Sequence, residues 1–366
     1  MLFNKNTQTY FFGFSRWKRK FIIPFFPTLN KNQILFCSTL DDALKKGLNG
    51  DSKIYIWGKK PFFELEGYAK EQNITLNRVE DGFVRSVSLG SDLTKAYSLV
   101  ADSRGIYFDP TQESDLEHIL NTFTFDKEII VRSQNLQKYL IENKISKYNN
   151  YQDRQLKLEN LKEDQKVVMV PGQVEDDASI RYGANGMTNF ELLKKARVNA
   201  PKAYIIYKPH PDVLAGNRKG DISEELALKY CDTIIEEASL DSVLELADEV
   251  HTMTSLVGFE ALIRRKRVYA YGLPFYAGWG LTTDSKRCTR RVVSRTLDEL
   301  VAAAFILYPH YINPITNELC EIEVLLQEID KEKNRYNSDK FYKLCIDSRN
   351  MISRKIQLII KVILGE

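Results

Sequence analysis

The feature that most limits the fold is an alternation. Short β-prone runs recur along the chain, helical stretches separate them, and the unusual polar residues sit where the runs stop. In the first half, 33–37, 54–57, 74–79, 97–101 and 105–108 read as strands and 126–143 as a helix. The second half restarts with a strand at 166–170 closed by Pro171-Gly172. Further strands follow at 203–207, 249–251 and 267–271, with helices at 188–197 (capped by Thr188), 242–247 and 256–263. This order predicts parallel sheets in open α/β domains, which bind ligands beyond the carboxyl ends of their strands. A chain of 366 residues is long enough for two such domains. The polar, charge-rich stretch 146–165 is the candidate connection. The expected division is an acceptor-side Rossmann-like domain over 1–155, a nucleotide-sugar-binding one over 156–315, and C-terminal helices over 316–366. Those helices either pack back on the first domain or touch a membrane.

Composition narrows the function classes. The net charge of +3 lacks the concentrated basic excess of a nucleic-acid binder. Cys37, Cys231, Cys288, Cys320 and Cys345 are scattered and form no CxxC, so no zinc site is visible and a reducing cytosol is expected. The first ten residues lack the apolar core of a secretion signal, and no apolar run is long enough to span a bilayer. Segments 11–26 and 351–364 mix cations with aromatic and aliphatic residues. Each suits an amphipathic helix packed on its own domain, or contact with the inner membrane or an export assembly.

Five clusters carry chemistry. Glu80-Asp81-Gly82-Phe83-Val84-Arg85-Ser86 follows a strand. A carboxylate fixed there can act as general acid or base, and Arg85 can grip a carboxylate or phosphate. A solvated turn explains the same residues. In Gly172-Gln173-Val174-Glu175-Asp176-Asp177-Ala178-Ser179, the glycine permits close backbone approach and the acids stand beside Ser179 and Arg181. Mg²⁺ could bind such a group but is not required, and an aspartate could attack an anomeric carbon. Acids in the first turn of a helix are the plainer explanation. Lys208-Pro209-His210-Pro211-Asp212 fixes a histidine between prolines at a strand end, suited to a phosphate or sugar hydroxyl. His251-Thr252-Met253-Thr254-Ser255 opens a helix whose N-terminus can hold a phosphate, with Glu260 further along for ribose hydroxyls. Simple capping also fits. Last, 272–282 interleaves Phe275, Tyr276 and Trp279 with glycines, which suggests a binding loop offering ring faces to a sugar or base.

Together these segments resemble the capsule-polysaccharide β-Kdo transferases, the KpsC-like family. The matching pieces are EDGFVRS (80–86), GQVEDDAS (172–179), KPHPD (208–212), HTMTSLVGFEAL (251–262) and GLPFYAGWGLT (272–282), in the family's order. The resemblance implies a GT-B-like α/β architecture of two Rossmann-like domains facing across a cleft. It implies CMP-Kdo as donor, a glycan or glycolipid acceptor, a retaining outcome, and neither cofactor nor metal. It places Asp177 as nucleophile and Glu80 as acid/base, with Asp81 competing. Lys208, His210, Thr254, Ser255 and Glu260 fall around the CMP moiety, and Gln173, Ser179, His251, Tyr276 and Trp279 complete the donor-side set. Charge alone suggests Arg85 and Arg181 for the Kdo carboxylate. Many such capsule enzymes carry two modules in tandem, whereas this chain has the motif set of one. Two other functions compete: a GT-B-like glycerophosphotransferase using a CDP-linked donor, and a non-catalytic glycan-binding scaffold of an export assembly.

Overall fold

The structure is a computed structural model that describes residues 7–84, 95–146, 156–216, 218–349 and 351. Arg85 and Ser86, most of the proposed connection, and the C-terminal run beyond 351 lie outside the described residues. In chain order the strands are β1 (Thr9–Phe12), β2 (Ile34–Cys37), β3 (Lys53–Trp57), β4 (Leu76–Asp81), β5 (Ser98–Asp102), β6 (Val167–Pro171), β7 (Tyr204–Lys208), β8 (Thr233–Ile234), β9 (Glu249–Thr252), β10 (Arg267–Ala270), β11 (Thr283–Asp284), β12 (Pro309–Ile312) and β13 (Leu319–Cys320).

The chain divides into two compact units, one of Met1–Ile106, Lys147–Asn150 and Tyr308–Glu366, the other of Tyr107–Ser146 and Tyr151–Leu307. Tyr107–Ser146 therefore group with the second unit, not with the residues before them. The reason is local: helix Lys127–Glu142 buries Leu136 and Leu140, and its Gln137 Nε2 donates to Asp298 Oδ1 at 2.7 Å.

The first unit holds a mixed sheet in the order β13-β12-β5-β4-β3-β1-β2. β1 through β4 run parallel, whereas β5, β12 and β13 pair antiparallel. β1 is an interior strand next to the β2 edge and is wholly buried, so the start of segment 11–26 is strand rather than helix, packed on its own unit. Segment 11–26 is core-forming: Phe11, Phe12, Phe14, Phe21, Ile22 and Phe25 are all buried, and Phe11 packs on Phe14, Phe26, Phe36 and Tyr55. Helix Ile322–Ser338 belongs to this unit and buries Ile322, Leu325, Leu326 and Ile329, the spacing of one helical face. Residues 105–108, expected as a strand, are not one; Asp102 accepts from the amides of Arg104 and Gly105 at 3.0 and 2.8 Å, which turns the chain out of β5.

The second unit holds an all-parallel sheet in the order β11-β10-β9-β6-β7-β8. β6, the first strand of the unit, lies between its second (β7) and fourth (β9). This is the doubly wound nucleotide-binding order, whose crevice opens where the winding reverses, at the carboxyl ends of β6 and β9. β6 is apolar and fully buried, as expected of a strand covered on both faces.

Candidate active site

The crevice of the second unit is where the singled-out residues collect. β6 ends at Pro171, and Gly172 donates its amide to Lys208 O at 2.8 Å. A Cβ on Gly172 would lie 3.0 Å from Tyr207 Oη and 3.2 Å from His210 N, so glycine suits the close approach of the ends of β6 and β7. Gln173 then ties β6 to β9. Its Oε1 accepts from Thr254 N at 3.0 Å and its Nε2 donates to Thr254 Oγ1 at 3.1 Å. Both side-chain atoms serve the protein, so the role of Gln173 is to set the loop after β9. Asn189, which the sequence reading passed over, fixes Gln173 in turn. Its Oδ1 accepts from Gln173 N at 2.8 Å, and its Nδ2 donates to Gln173 O and Gly220 O at 2.7 and 2.8 Å. A lone asparagine opening an amphipathic helix carries no sequence signal for that task.

The loop after β9 is a compact turn. Thr252 Oγ1 accepts from Ser255 N at 3.2 Å, and Ser255 caps helix Leu256–Ile263 by accepting from Val257 N at 3.2 Å. The Thr254 methyl is clamped: Cβ atoms on Gly183 and on Gly272 would each lie 2.8 Å from its Cγ2. Gly258 is demanded as well, since a Cβ there would overlap the Tyr276 hydroxyl, which donates to Ser255 O. Glu260 is buried on the same helix.

Lys208 and His210 lie at the carboxyl end of β7, the neighbour of β6 on the side away from β9. Lys208 Nζ donates to Glu236 O at 3.3 Å, and burial pulls its ammonium down to about 8, with Glu236 opposing. His210 caps a short helix; its Nδ1 accepts from Asp212 N at 3.1 Å, which assigns the ring proton of the neutral imidazole to Nε2. A partly dehydrated ammonium, an imidazole N–H and a capped helix N-terminus are the groups that an anionic phosphate needs.

The three consecutive acids separate by task. Glu175 accepts from Asn189 N at 2.7 Å, Asp176 pairs with Arg218 at 3.0 Å, and Asp177 caps helix Ala178–Gly183. Asp177 Oδ1 takes both the amide and the hydroxyl of Ser179, at 2.9 and 2.8 Å. Asp177 and Arg181 are exposed. Among the described residues no three His, Cys, Asp or Glu side chains are grouped to hold a metal.

Three donor-side expectations are corrected. Tyr276 and Trp279 are 0% exposed, and Trp279 Nε1 donates to Phe275 O at 2.8 Å. The loop 272–282 therefore braces the site from within and offers no ring face to a ligand. Arg291 holds that loop through the carbonyls of Pro274 and Ala277, both at 2.6 Å. His251 points into the core, 1% exposed, with Nδ1 2.9 Å from Tyr271 Oη and its ring stacked on Tyr269. Burial lowers it to about 4, against the opposing pull of Glu249, so it is neutral at pH 7.

In the first unit, Glu80 and Asp81 are the last residues of β4, not a turn after it, paired with Val100 and Leu99 of β5. Glu80 Oε1 accepts from Asp81 N at 3.0 Å. Gly82 follows, pressed against Ser98 where no side chain fits.

The second unit thus has the fold and crevice of a nucleotide-binding Rossmann-like domain. The family model for capsule polysaccharide biosynthesis proteins matches residues 53–315, and the chain belongs to that family. It is 44% identical over 340 residues to the capsule polysaccharide modification protein LipA of Neisseria meningitidis, covering 92% of this chain and 48% of LipA. It is 39% identical to the lipopolysaccharide-processing protein LpsZ of Rhizobium meliloti, covering 88% of this chain and 74% of LpsZ. The chain spans about half the length of LipA. Among solved structures it matches the β-Kdo 2,7 transferase of Thermosulfurimonas dismutans KpsC with a TM-score of 0.73 and 38% identity, covering 89% of this chain and 99% of that one. It matches the β-Kdo 2,4 transferase of the same KpsC with a TM-score of 0.75 and 32% identity, at the same coverage. The GT-B-like α/β class expected from the sequence is the class of these structures. No described helix is long and apolar enough to cross a membrane.

Proposed function

We propose that this chain is a retaining β-Kdo glycosyltransferase that moves Kdo from CMP-Kdo to a saccharide acceptor during surface-polysaccharide synthesis. The observation that carries the reading is the capped N-terminus of helix Leu256–Ile263 at the switch point, on the same carboxyl edge of the sheet as Lys208 and His210 at the end of β7. The β-Kdo transferase activities of the two similar KpsC structures support the choice of sugar.

In this reading the CMP phosphate lies at the N-terminus of helix Leu256–Ile263, with Lys208 and the Nε2–H of His210 as donors. Asp177 attacks the anomeric carbon; a carbon–oxygen bond forms to its carboxylate as the bond to the phosphate breaks, and CMP leaves with the electron pair. Glu80, with Asp81 as the competing candidate, takes the proton of an acceptor hydroxyl, which displaces the aspartate. Two inversions give net retention. Arg181 is the exposed cation assigned to the Kdo carboxylate, and Ser179 holds Asp177 in place.

Asp177→Asn tests this cleanly, because asparagine caps a helix as well as aspartate does. The variant is expected to fold and to bind CMP while transfer falls at least about 10³-fold, the scale of losing a catalytic group. Transfer at the wild-type rate would remove Asp177 as nucleophile. A Kdo adduct on the Asp177 peptide after rapid quenching would support it.

A further inference from the structure

The first unit carries a pair of helices whose second member has two unlike sides. Residues 340–349 are helical and follow helix Ile322–Ser338 after a break at Asp339. Asp339 opens this helix, its Oδ1 accepting from Tyr342 N at 2.9 Å. One side grips the preceding helix. Tyr342 Oη donates to Glu332 Oε1 at 3.4 Å, and the Arg335 guanidinium lies 4.2 Å from the centre of the Tyr342 ring. Tyr336 Oη donates to Asp347 Oδ1 at 2.6 Å, and Lys343 Nζ lies 5.3 Å from the centre of the Tyr336 ring. Tyr342 and Ile346, one turn apart, are half-buried.

Phe341, Leu344 and Cys345 share another side, at the i, i+3, i+4 spacing. They face solvent: Phe341 is 75% exposed, Leu344 63%, and Cys345 is exposed as well. Met351 is 53% exposed. A helix that packs only on its own unit keeps its large apolar residues on the packed side. Here polar and aromatic contacts fill that side and the aliphatic ones are turned away. Charge says what covers them. Lys340, Lys343 and Arg349 stand among these residues against Asp347 alone, and the run 352–364 adds Arg354, Lys355 and Lys361 with no acid. A second copy of the chain would bring the same cations, and like charges facing each other repel. An anionic lipid surface suits both features, with apolar side chains at the acyl boundary and cations at the headgroups. Helix 340–349 is too short to span a bilayer, so it would lie in the plane of the surface.

We propose that helix 340–349 docks the first unit on an anionic phospholipid surface, with Phe341, Leu344 and Met351 entering the interface and Lys340 and Lys343 at the headgroups. The inference goes beyond the transferase reading and does not rest on it, because it concerns where the protein works and not what it transfers. It assigns a task to side chains that the fold leaves uncovered and the donor crevice does not use.

The test uses the full chain and co-sedimentation with two kinds of vesicle, phosphatidylglycerol mixed with phosphatidylcholine, and phosphatidylcholine alone. Wild type is expected to bind the anionic vesicles at least about tenfold more tightly than the neutral ones, and to lose that preference as salt is raised. Phe341→Asp and Leu344→Asp should each weaken binding to the anionic vesicles at least about tenfold, since each replaces an apolar side chain by an anion facing anions. Lys340→Gln should weaken it about fivefold, the scale of one cation near a charged surface. Both apolar side chains are exposed, so the melting curves and CMP affinity of these variants should match wild type. Val292→Asp, which changes an exposed apolar residue of the second unit, serves as control and should bind vesicles as wild type does. Wild type that ignores the anionic vesicles would overturn the proposal, as would binding indifferent to lipid charge or equal binding by wild type and the two aspartate variants. So would self-association of wild type, seen by analytical ultracentrifugation and abolished by Leu344→Asp while vesicle binding persists, which would assign this side to a second copy.

Discussion

Lys208→Met separates what the site needs from what the fold prefers. Burial brings the Lys208 ammonium from 10.5 to about 8. At 1.36 kcal/mol per pH unit, that gap corresponds to about 3 kcal/mol spent on keeping the side chain charged at pH 7. Methionine has a similar length and no charge. It forfeits the 3.3 Å bond to Glu236 O, worth about 1 kcal/mol. The variant should therefore be more stable at pH 7 by about 2 kcal/mol, which for a unit of this size raises Tm by roughly 4–8 °C. The pH dependence follows from the two proton affinities. Above pH 8 the folded protein sheds the proton while the unfolded chain keeps it up to 10.5, so wild-type stability climbs across that window and the advantage of methionine shrinks. Differential scanning calorimetry at pH 7, 8, 9 and 10 reads the effect, and CMP titration at pH 7 should show binding at least about tenfold weaker. A variant less stable than wild type at pH 7, by a margin indifferent to pH, would refute the account of Lys208 as a strained, ligand-awaiting cation.

Gly258→Ala should destabilise by about 1–3 kcal/mol in urea unfolding, because its Cβ would displace the Tyr276 hydroxyl from Ser255 O. The usual gain of alanine over glycine in a helix has the opposite sign, so a more stable variant would discard the brace. His251 stays neutral down to about 4 while an unfolded histidine protonates at 6.5. Its contribution is complete above pH 6.5 and is lost as pH falls toward 4, up to about 3 kcal/mol. His251→Phe should flatten that part of the stability–pH curve, and an unchanged slope would show that other groups set it.

Much of this architecture is legible in the sequence, for a physical reason. β6 and β7 are buried on both faces, so each is a short, largely apolar run, and each stops at a residue with a job. Thr188, Asp126 and Ser255 announce their helices through capping chemistry. β1 was obscured because Thr-Tyr-Phe-Phe sits among cations and aromatics that resemble a membrane-surface helix. Only the long-range pairing with β2 and β3 turns it into an interior strand of a sheet. Tyr276 and Trp279 misled for a related reason. Aromatics among glycines fit a ligand platform, yet the same glycines let rings pack inward against a helix, and burial is not written in composition. Asn189 and Gly183 were invisible because their roles lie in contacts with residues distant in sequence, Gly220 and Thr254 among them.

The clamp on the Thr254 methyl has a consequence for how such a protein diversifies. Gly183 ends the helix that Asp177 begins, and its carbonyl accepts from Leu273 N at 2.9 Å. Three separate stretches of chain are thus interlocked at van der Waals distance, and a methyl group added to either glycine jams all three. Drift toward a new donor sugar cannot proceed residue by residue through this keystone. It must come from the rim, where Arg181 is exposed and outside the clamp.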